Sequence, residues 1–232
     1  ATPDTNAATA RVLDQLGVSL VEAPKAGCCG AVSYHLSAHE EGLDYMRRNI
    51  DAWWPSIEAG AEAIVMPASG CGAQVQDYGH LLKDDPAYAD KAHKVSALTM
   101  DLGAFLLGED LSRLKLDHRP EKVAFHCPCT LQHAMKQSGV VDQVLTRAGI
   151  KLADTRDKHL CCGSAGTYSI LQPELSQRLL TNKLKALTVD HPERIVTANI
   201  GCQLHLATRA EVPVQHWIEL LDPDNQPLPD QH

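Results

Sequence analysis

The chain has 232 residues, 44% of them hydrophobic, with eight cysteines, twelve histidines and a net charge of −8. A cysteine content of about 3% lies far below that of a disulfide-stapled secreted mini-protein, and a chain of this length can bury a core unaided, so the thiols point to chemistry rather than covalent stapling. No apolar run reaches the roughly 18 residues of a membrane span, no basic stripe answers nucleic-acid phosphates, and the Ala1-Thr2-Pro3-Asp4 start has neither the basic nor the apolar segment of a signal peptide.

Residues 9–16 have helical apolar spacing ending at Gly17, and residues 18–21 read as a short strand. Cys28-Cys29-Gly30 follows. Residues 40–59 read as a long helix with Leu43, Met46, Ile50, Trp53 and Trp54 on or near one stripe, and residues 63–66 as a buried strand that delivers Gly70-Cys71. A single linking helix is predicted over 88–107, then a polar stretch over 113–120. The strand beginning at Val123 runs into His126-Cys127-Pro128-Cys129. Residues 141–148 read as helix, 150–153 as strand, and Cys161-Cys162-Gly163 comes next. A helix over 173–187 opens on Pro173, and the strand 195–198 precedes Gly201-Cys202. From Asp222 onward the chain is rich in Pro, Asp and Gln and reads as a frayed tail.

The order is the same twice. Cys161 follows Cys28 by 133 residues (161−28), Cys202 follows Cys71 by 131 (202−71), and the helix at Val144 follows the one at Val12 by 132 (144−12). Short strands alternating with helices imply parallel βαβ units, so the expected fold class is α/β, with two homologous βαβ-type units related by the repeat. The boundaries read as a first unit over 1–85, a linking helix and loop over 86–120, a second unit over 121–221 and a tail over 222–232. Projecting Cys129 back by the same offset lands upstream of Ala1, so the first unit reads as truncated, without its opening strand and leading cysteine.

The cysteines of both units fall just past predicted strand ends, where open α/β sheets gather ligands. In the second unit Cys129, Cys161, Cys162 and Cys202 converge; in the first, Cys28, Cys29 and Cys71. Four thiolates suit tetrahedral zinc or an iron-sulfur cluster. Gly30, Gly70, Gly163 and Gly201 are read as cofactor-binding, letting backbone pass close to a bulky centre and offering amides to sulfur. Asn49 and Asn182 each lie 20 residues (49−29, 182−162) after a paired cysteine, a register that implies a shared role. Cys127, His126, His133 and His205 rank below the cysteines, since free Cys and His more often pack or hydrogen-bond than ligate. Trp53-Trp54 reads as packing. No catalytic triad and no phosphate-binding loop appear, and no residue is assigned a catalytic role.

Together these segments resemble a known family. The Cys-Cys-Gly units are similar to the cysteine-rich domain of the heterodisulfide reductase catalytic subunit and of iron-sulfur subunits of glycolate, lactate and anaerobic glycerol-3-phosphate dehydrogenases. Within that group Ala26-Gly-Cys-Cys-Gly-Ala31, Asn49-Ile-Asp-Ala-Trp-Trp-Pro55, Phe125-His-Cys-Pro-Cys-Thr-Leu-Gln-His133, His159-Leu-Cys-Cys-Gly-Ser-Ala-Gly-Thr-Tyr168, Thr197-Ala-Asn-Ile-Gly-Cys-Gln203 and His216-Trp-Ile-Glu219 resemble the glycolate oxidase iron-sulfur subunits. The resemblance implies an oxidoreductase subunit that passes electrons from flavin-containing partner subunits toward a quinone or other acceptor, with a ferredoxin-like amino-terminal domain outside this chain. It implies a [4Fe-4S] cluster, no nucleic acid, and a place in the cytoplasm or, through the complex, at the cytoplasmic face of the inner membrane. One departure stands out: where heterodisulfide reductase units end in Cys-x-x-Cys, Cys71 and Cys202 stand alone. Two other readings stay open, a zinc-stabilised assembly module and a thiol/disulfide reductase.

Overall fold

The computed structural model describes residues 2–116, 120 and 122–224. In chain order come α1 (Pro3–Leu16), α2 (Ala31–His35), α3 (His39–Glu58), β1 (Ile64–Met66), α4 (Ser69–Gln76), α5 (Tyr78–Leu81), α6 (Ala89–Leu98), β2 (Thr99–Asp101), α7 (Leu102–Leu107), β3 (Val123–His126), α8 (Val140–Arg147), α9 (Tyr168–Leu171), α10 (Pro173–Leu187), β4 (Arg194–Thr197), α11 (Ile200–Ala207) and β5 (Val214–His216). A π-helical turn, Thr130–Ala134, follows β3, and a 3-10 turn, Trp217–Leu220, follows β5. The α/β expectation holds: β1 and β2 form one parallel sheet, and β3, β4 and β5 another in that order.

Two compact units divide the chain, one of residues 21–105 and the other of 1–20 with 106–232. In the smaller unit, Cys29, Met46, Ile50, Val75, Tyr78, Leu82, Ala92 and Val95 make the core. The larger unit's sheet packs Ala124, Ala153, Cys162, Leu180, Leu187, Ile195 and Leu206. Cys29 and Cys162 are thus core members at equivalent places. Helix α1, read from the sequence with the first repeat, packs in the larger unit: Thr5 Oγ1 donates to Glu219 Oε1 at 2.9 Å and Arg11 holds Asp222 with bonds of 2.7 and 2.6 Å. That ion pair ties down the start of the segment read as a tail; residues 225–232 of it lie outside the described residues, as do 117–119 and 121 of the linking stretch.

Three elements differ from the sequence reading. The helix expected over 88–107 is interrupted by β2, because Thr99 turns its Oγ1 back onto Val95 O at 2.8 Å, closing α6, while residues 99–101 pair with β1. Residues 18–21 form no strand; the left-handed Gly17 (φ 82°) ends α1 with Val18 N bonded to Leu13 O, and the residues after it join no ladder. The strand over 150–153 reduces to a single parallel bridge, Leu152 to Val123.

β2 and β5 extend the repeat to a part the sequence did not reveal. Asp101 and His216 end these strands in matching register, opposite Met66 and Thr197. Each caps the next turn, Asp101 Oδ1 accepting from Gly103 N at 2.8 Å and His216 Nδ1 from Ile218 N at 3.2 Å. Burial pushes the Asp101 carboxyl up to about 6, against the bonds from Gly103 and Ala104. A raised carboxylate stabilises the fold fully below its unfolded value near 3.8 and loses that contribution as pH rises through about 6. Asp101→Asn, which keeps the Gly103 bond, is therefore expected to gain about 1–3 kcal/mol over the native chain near pH 7.5 and to lose that advantage by about pH 4. Urea denaturation at the two pH values checks this; a gain independent of pH contradicts it.

Candidate metal centre

The two Cys-Cys-Gly turns are held by one device. Gly30 and Gly163 adopt φ of 83° and 92°, and a β-carbon on them would lie 2.6 Å from Gly42 O and 2.5 Å from Ser176 O. Each turn lies against the backbone of the long helix after it, α3 or α10, and only glycine meets both the left-handed backbone and the close approach. The helix alone imposes this requirement. Of the amides expected to face sulfur, Gly163 N does so, donating to Cys161 Sγ at 3.3 Å. Gly201 N instead donates to Asn199 Oδ1 at 2.9 Å, part of the cap that starts α11, and Gly70 sits half-buried in the first turn of α4.

Gly42 and Ser176 are counterparts at an offset of 134 (176−42), and the buried stripes agree: Gly42, Met46 and Asn49 on α3 match Ser176, Leu180 and Lys183 on α10. The counterpart of Asn49 is therefore Lys183. One residue turns a helical position by about 100°, so Asn182, expected to share the role of Asn49, is exposed instead. Asn49, fully buried, accepts from Gly27 N at 2.8 Å and donates to Cys28 O at 2.9 Å and Tyr78 Oη at 3.1 Å, while Tyr78 Oη donates to Cys29 O at 2.9 Å. Lys183, 1% exposed, donates to Lys158 O at 3.1 Å and Asp157 O at 3.4 Å. Both side chains brace the segment carrying the paired cysteines, one through a neutral amide and the other through a cation.

The thiols meet in pairs. In the larger unit Cys162 Sγ lies 3.2 Å from Cys202 Sγ, Cys129 hydrogen-bonds Cys161, and Cys161 also interacts with Cys162, so the four sulfurs form a chain. In the smaller unit Cys29 meets Cys71 in the same way, and Cys28 is exposed beside them. Within each pair one thiol keeps the proton and donates. The Cys162 thiol, with help from His126, holds Cys202 down at about 5 although burial opposes it; the Cys129 thiol holds Cys161 far below the ordinary thiol range; the Cys71 thiol holds Cys29 at about 6. The donors Cys162, Cys129 and Cys71 are pushed up in turn. Removing both protons of such a pair needs a neutralising cation, which a metal supplies.

Sequence reasoning ranked His126 low, yet it ends β3 fully buried. Its ring and the sulfurs of Cys162 and Cys202 bring one ligand atom each within 4.8 Å of one another. The signal was its place at a strand's carboxyl end, the criterion that had selected the cysteines. His205 instead puts Nε2 3.1 Å from Ser176 Oγ, which itself donates to Gly163 O at 2.8 Å. Cys127 is half-buried, its carbonyl accepting from Gln132 Nε2 at 2.7 Å, and His133 is exposed. Trp53 stacks on Tyr78 with ring centroids 6.4 Å apart, the packing role expected of it.

A family model described as Cysteine-rich domain (CCG) matches residues 1–76 and 123–207. The Glycolate oxidase iron-sulfur subunit of Escherichia coli (strain K12) is 59% identical over 220 residues, covering 95% of this chain and 54% of that protein. The Probable glycolate oxidase iron-sulfur subunit of Bacillus subtilis (strain 168) is 33% identical over 205 residues, 87% of this chain and 45% of that one. Lactate utilization protein A of an Exiguobacterium species is 26% identical over 227 residues, 95% of this chain and 91% of its own length. The chain thus spans about half the length of the two glycolate oxidase subunits. With both cysteine units matched, each carrying its pair of thiols against a strand-end cysteine, the chain belongs to the cysteine-rich (CCG) domain family.

Proposed function

We propose that this chain is the cysteine-rich part of an iron-sulfur subunit in a flavin-dependent glycolate or related 2-hydroxy-acid dehydrogenase, passing electrons from the flavoprotein toward a quinone or other acceptor. The observation that carries this reading is the 59% identity, over 95% of the chain, to a protein named Glycolate oxidase iron-sulfur subunit. The four thiols of the larger unit support it, because Cys129, Cys161, Cys162 and Cys202 are the donor set a [4Fe-4S] cluster takes. A bound cluster supplies reversible one-electron storage. The chain's own part is to hold thiolates in place through the two glycine turns, to aim the Gly163 amide at Cys161 sulfur, and to keep the site within a packed core. Substrate oxidation belongs to the flavoprotein partner. The ferredoxin-like domain and the flavin subunits are the partners this reading implies, with the complex in the cytoplasm or at the inner membrane's cytoplasmic face. Among the described residues no helix is long and apolar enough to cross a membrane.

A zinc module is the second reading, favoured by the closeness of His126, Cys162 and Cys202, which one tetrahedral ion can span. Anaerobic loading with iron and sulfide followed by dithionite separates the two. An electron-transfer subunit shows visible absorption that bleaches on reduction and returns on reoxidation; bound zinc with no such absorption sinks the first reading.

A further inference from the structure

We propose that His126 is itself a ligand of the larger unit's centre, a fifth donor beside the four thiolates, one imidazole nitrogen binding a metal atom that Cys162 or Cys202 also holds, which makes the site a mixed sulfur and nitrogen one. The proposal rests on the reading that this unit holds a metal or cluster, and deepens it by naming a donor that cysteine spacing does not show.

Burial is the first ground. His126 is 0% exposed, and neither ring nitrogen makes a well-formed hydrogen bond to nitrogen or oxygen. A neutral imidazole carries one donor and one acceptor, and leaving each unmet in a core costs about 1–3 kcal/mol. A packing role alone would select an apolar side chain here. Thr197, opposite His126 on the same rung of β3 and β4, is also fully buried with its Oγ1 unmet, so the polar vacancy is a property of this end of the sheet.

Aim is the second ground. The ring sits with the Cys162 and Cys202 sulfurs, its ligand atom within 4.8 Å of theirs, although sulfur is a weak hydrogen-bond partner. A hydrogen bond to Cys202 alone would still leave the second nitrogen unmet. The other histidine near the site, His205, is committed to Ser176. Imidazole is a neutral ligand, so a fifth donor of this kind adds coordination without adding the negative charge that a fifth thiolate would bring.

The test uses the full chain, prepared anaerobically and loaded with ferrous iron and sulfide, with iron and sulfide assayed first. Pulsed electron paramagnetic resonance of the reduced protein, with and without 15N-histidine, is expected to show a strongly coupled histidine nitrogen that disappears in His126→Gln and persists in His205→Gln. Iron retention is expected to fall about 10-fold or more in His126→Gln. His126→Cys, which returns a donor atom, is expected to restore iron while the nitrogen coupling stays absent, separating ligation from misfolding. A fully loaded native chain without 15N-sensitive coupling, or coupling that survives in His126→Gln, overturns the proposal and leaves the cluster reading standing. A chain that retains zinc instead is read at the zinc edge: a nitrogen neighbour at about 2.0–2.1 Å supports the proposal, and an all-sulfur shell overturns it. A native chain that binds neither metal overturns this proposal and its parent together, an outcome the initial assay identifies.

Discussion

Gly163→Ala is expected to destabilise the larger unit by about 3 kcal/mol or more and to abolish metal loading there. The left-handed φ of 92° alone costs a side-chain residue about 1–2 kcal/mol. The added β-carbon would lie 2.5 Å from Ser176 O and 3.2 Å from Leu179 Cβ, and a backbone oxygen inside α10 cannot step aside as a flexible side chain can. Relief would have to come from moving the turn, and with it Cys161 and Cys162. Gly139 supplies the control, since its φ is 79° but nothing lies within 4 Å of a β-carbon there. Gly139→Ala is expected to show only the backbone cost. Denaturation under reducing, anaerobic conditions compares them; equal losses would show that the approach of turn to helix does not matter. Gly30, with φ 83° and 2.6 Å to Gly42 O, is expected to behave like Gly163 in the smaller unit.

The second large effect concerns charge. Lys183→Asn, which places in α10 the side chain that α3 carries at the matching position, is expected to lower the reduction potential of the larger unit's centre. Burial depresses the Lys183 ammonium, while the negative charge that the Cys129, Cys162, Cys127 and Cys202 sulfurs carry once ionised supports it. A cation so placed favours the more negative, reduced state. At an effective dielectric near 20 its removal is worth on the order of 1–2 kcal/mol, roughly 40–90 mV for a one-electron couple. Potentiometric titration of native and Lys183→Asn chains with equal iron content reads this directly. An unchanged potential would reduce Lys183 to a brace for the 157–158 carbonyls.

Strands β1, β3 and β4 were legible because each is a short apolar run leading into Gly-Cys or His-x-x-Cys, whereas the runs read before the two Cys-Cys-Gly turns form no ladder; α10 was legible because Pro173 opens a clean stripe. What escaped has physical reasons. β2 and β5 are three residues long, and their identity comes from pairing with β1 and β4 rather than from local pattern; Thr99 inside a helical run gave only a weak hint. The Asn49 register was misread because cysteine offsets of 133 and 131 bracket loops of unequal length, whereas the helices themselves match at 134, and one residue on a helix changes its face. His126 was missed because all four residues of β3 are buried, so alternation along the strand cannot show which side chain meets the sulfurs. The packing of α1 beside Glu219 and Asp222 joins residues more than 200 positions apart, beyond any pattern along the chain.

The central claim is that the larger unit's four cysteines hold an iron-sulfur centre. Iron and acid-labile sulfide measured on the anaerobically loaded chain and on a variant with Cys129, Cys161, Cys162 and Cys202 all changed to serine test it most directly. The account predicts about four irons and four sulfides in the larger unit, lost in the variant while Cys28, Cys29 and Cys71 remain. Iron and sulfide that stay bound when those four thiols are gone, or a native chain that takes up neither, would contradict it.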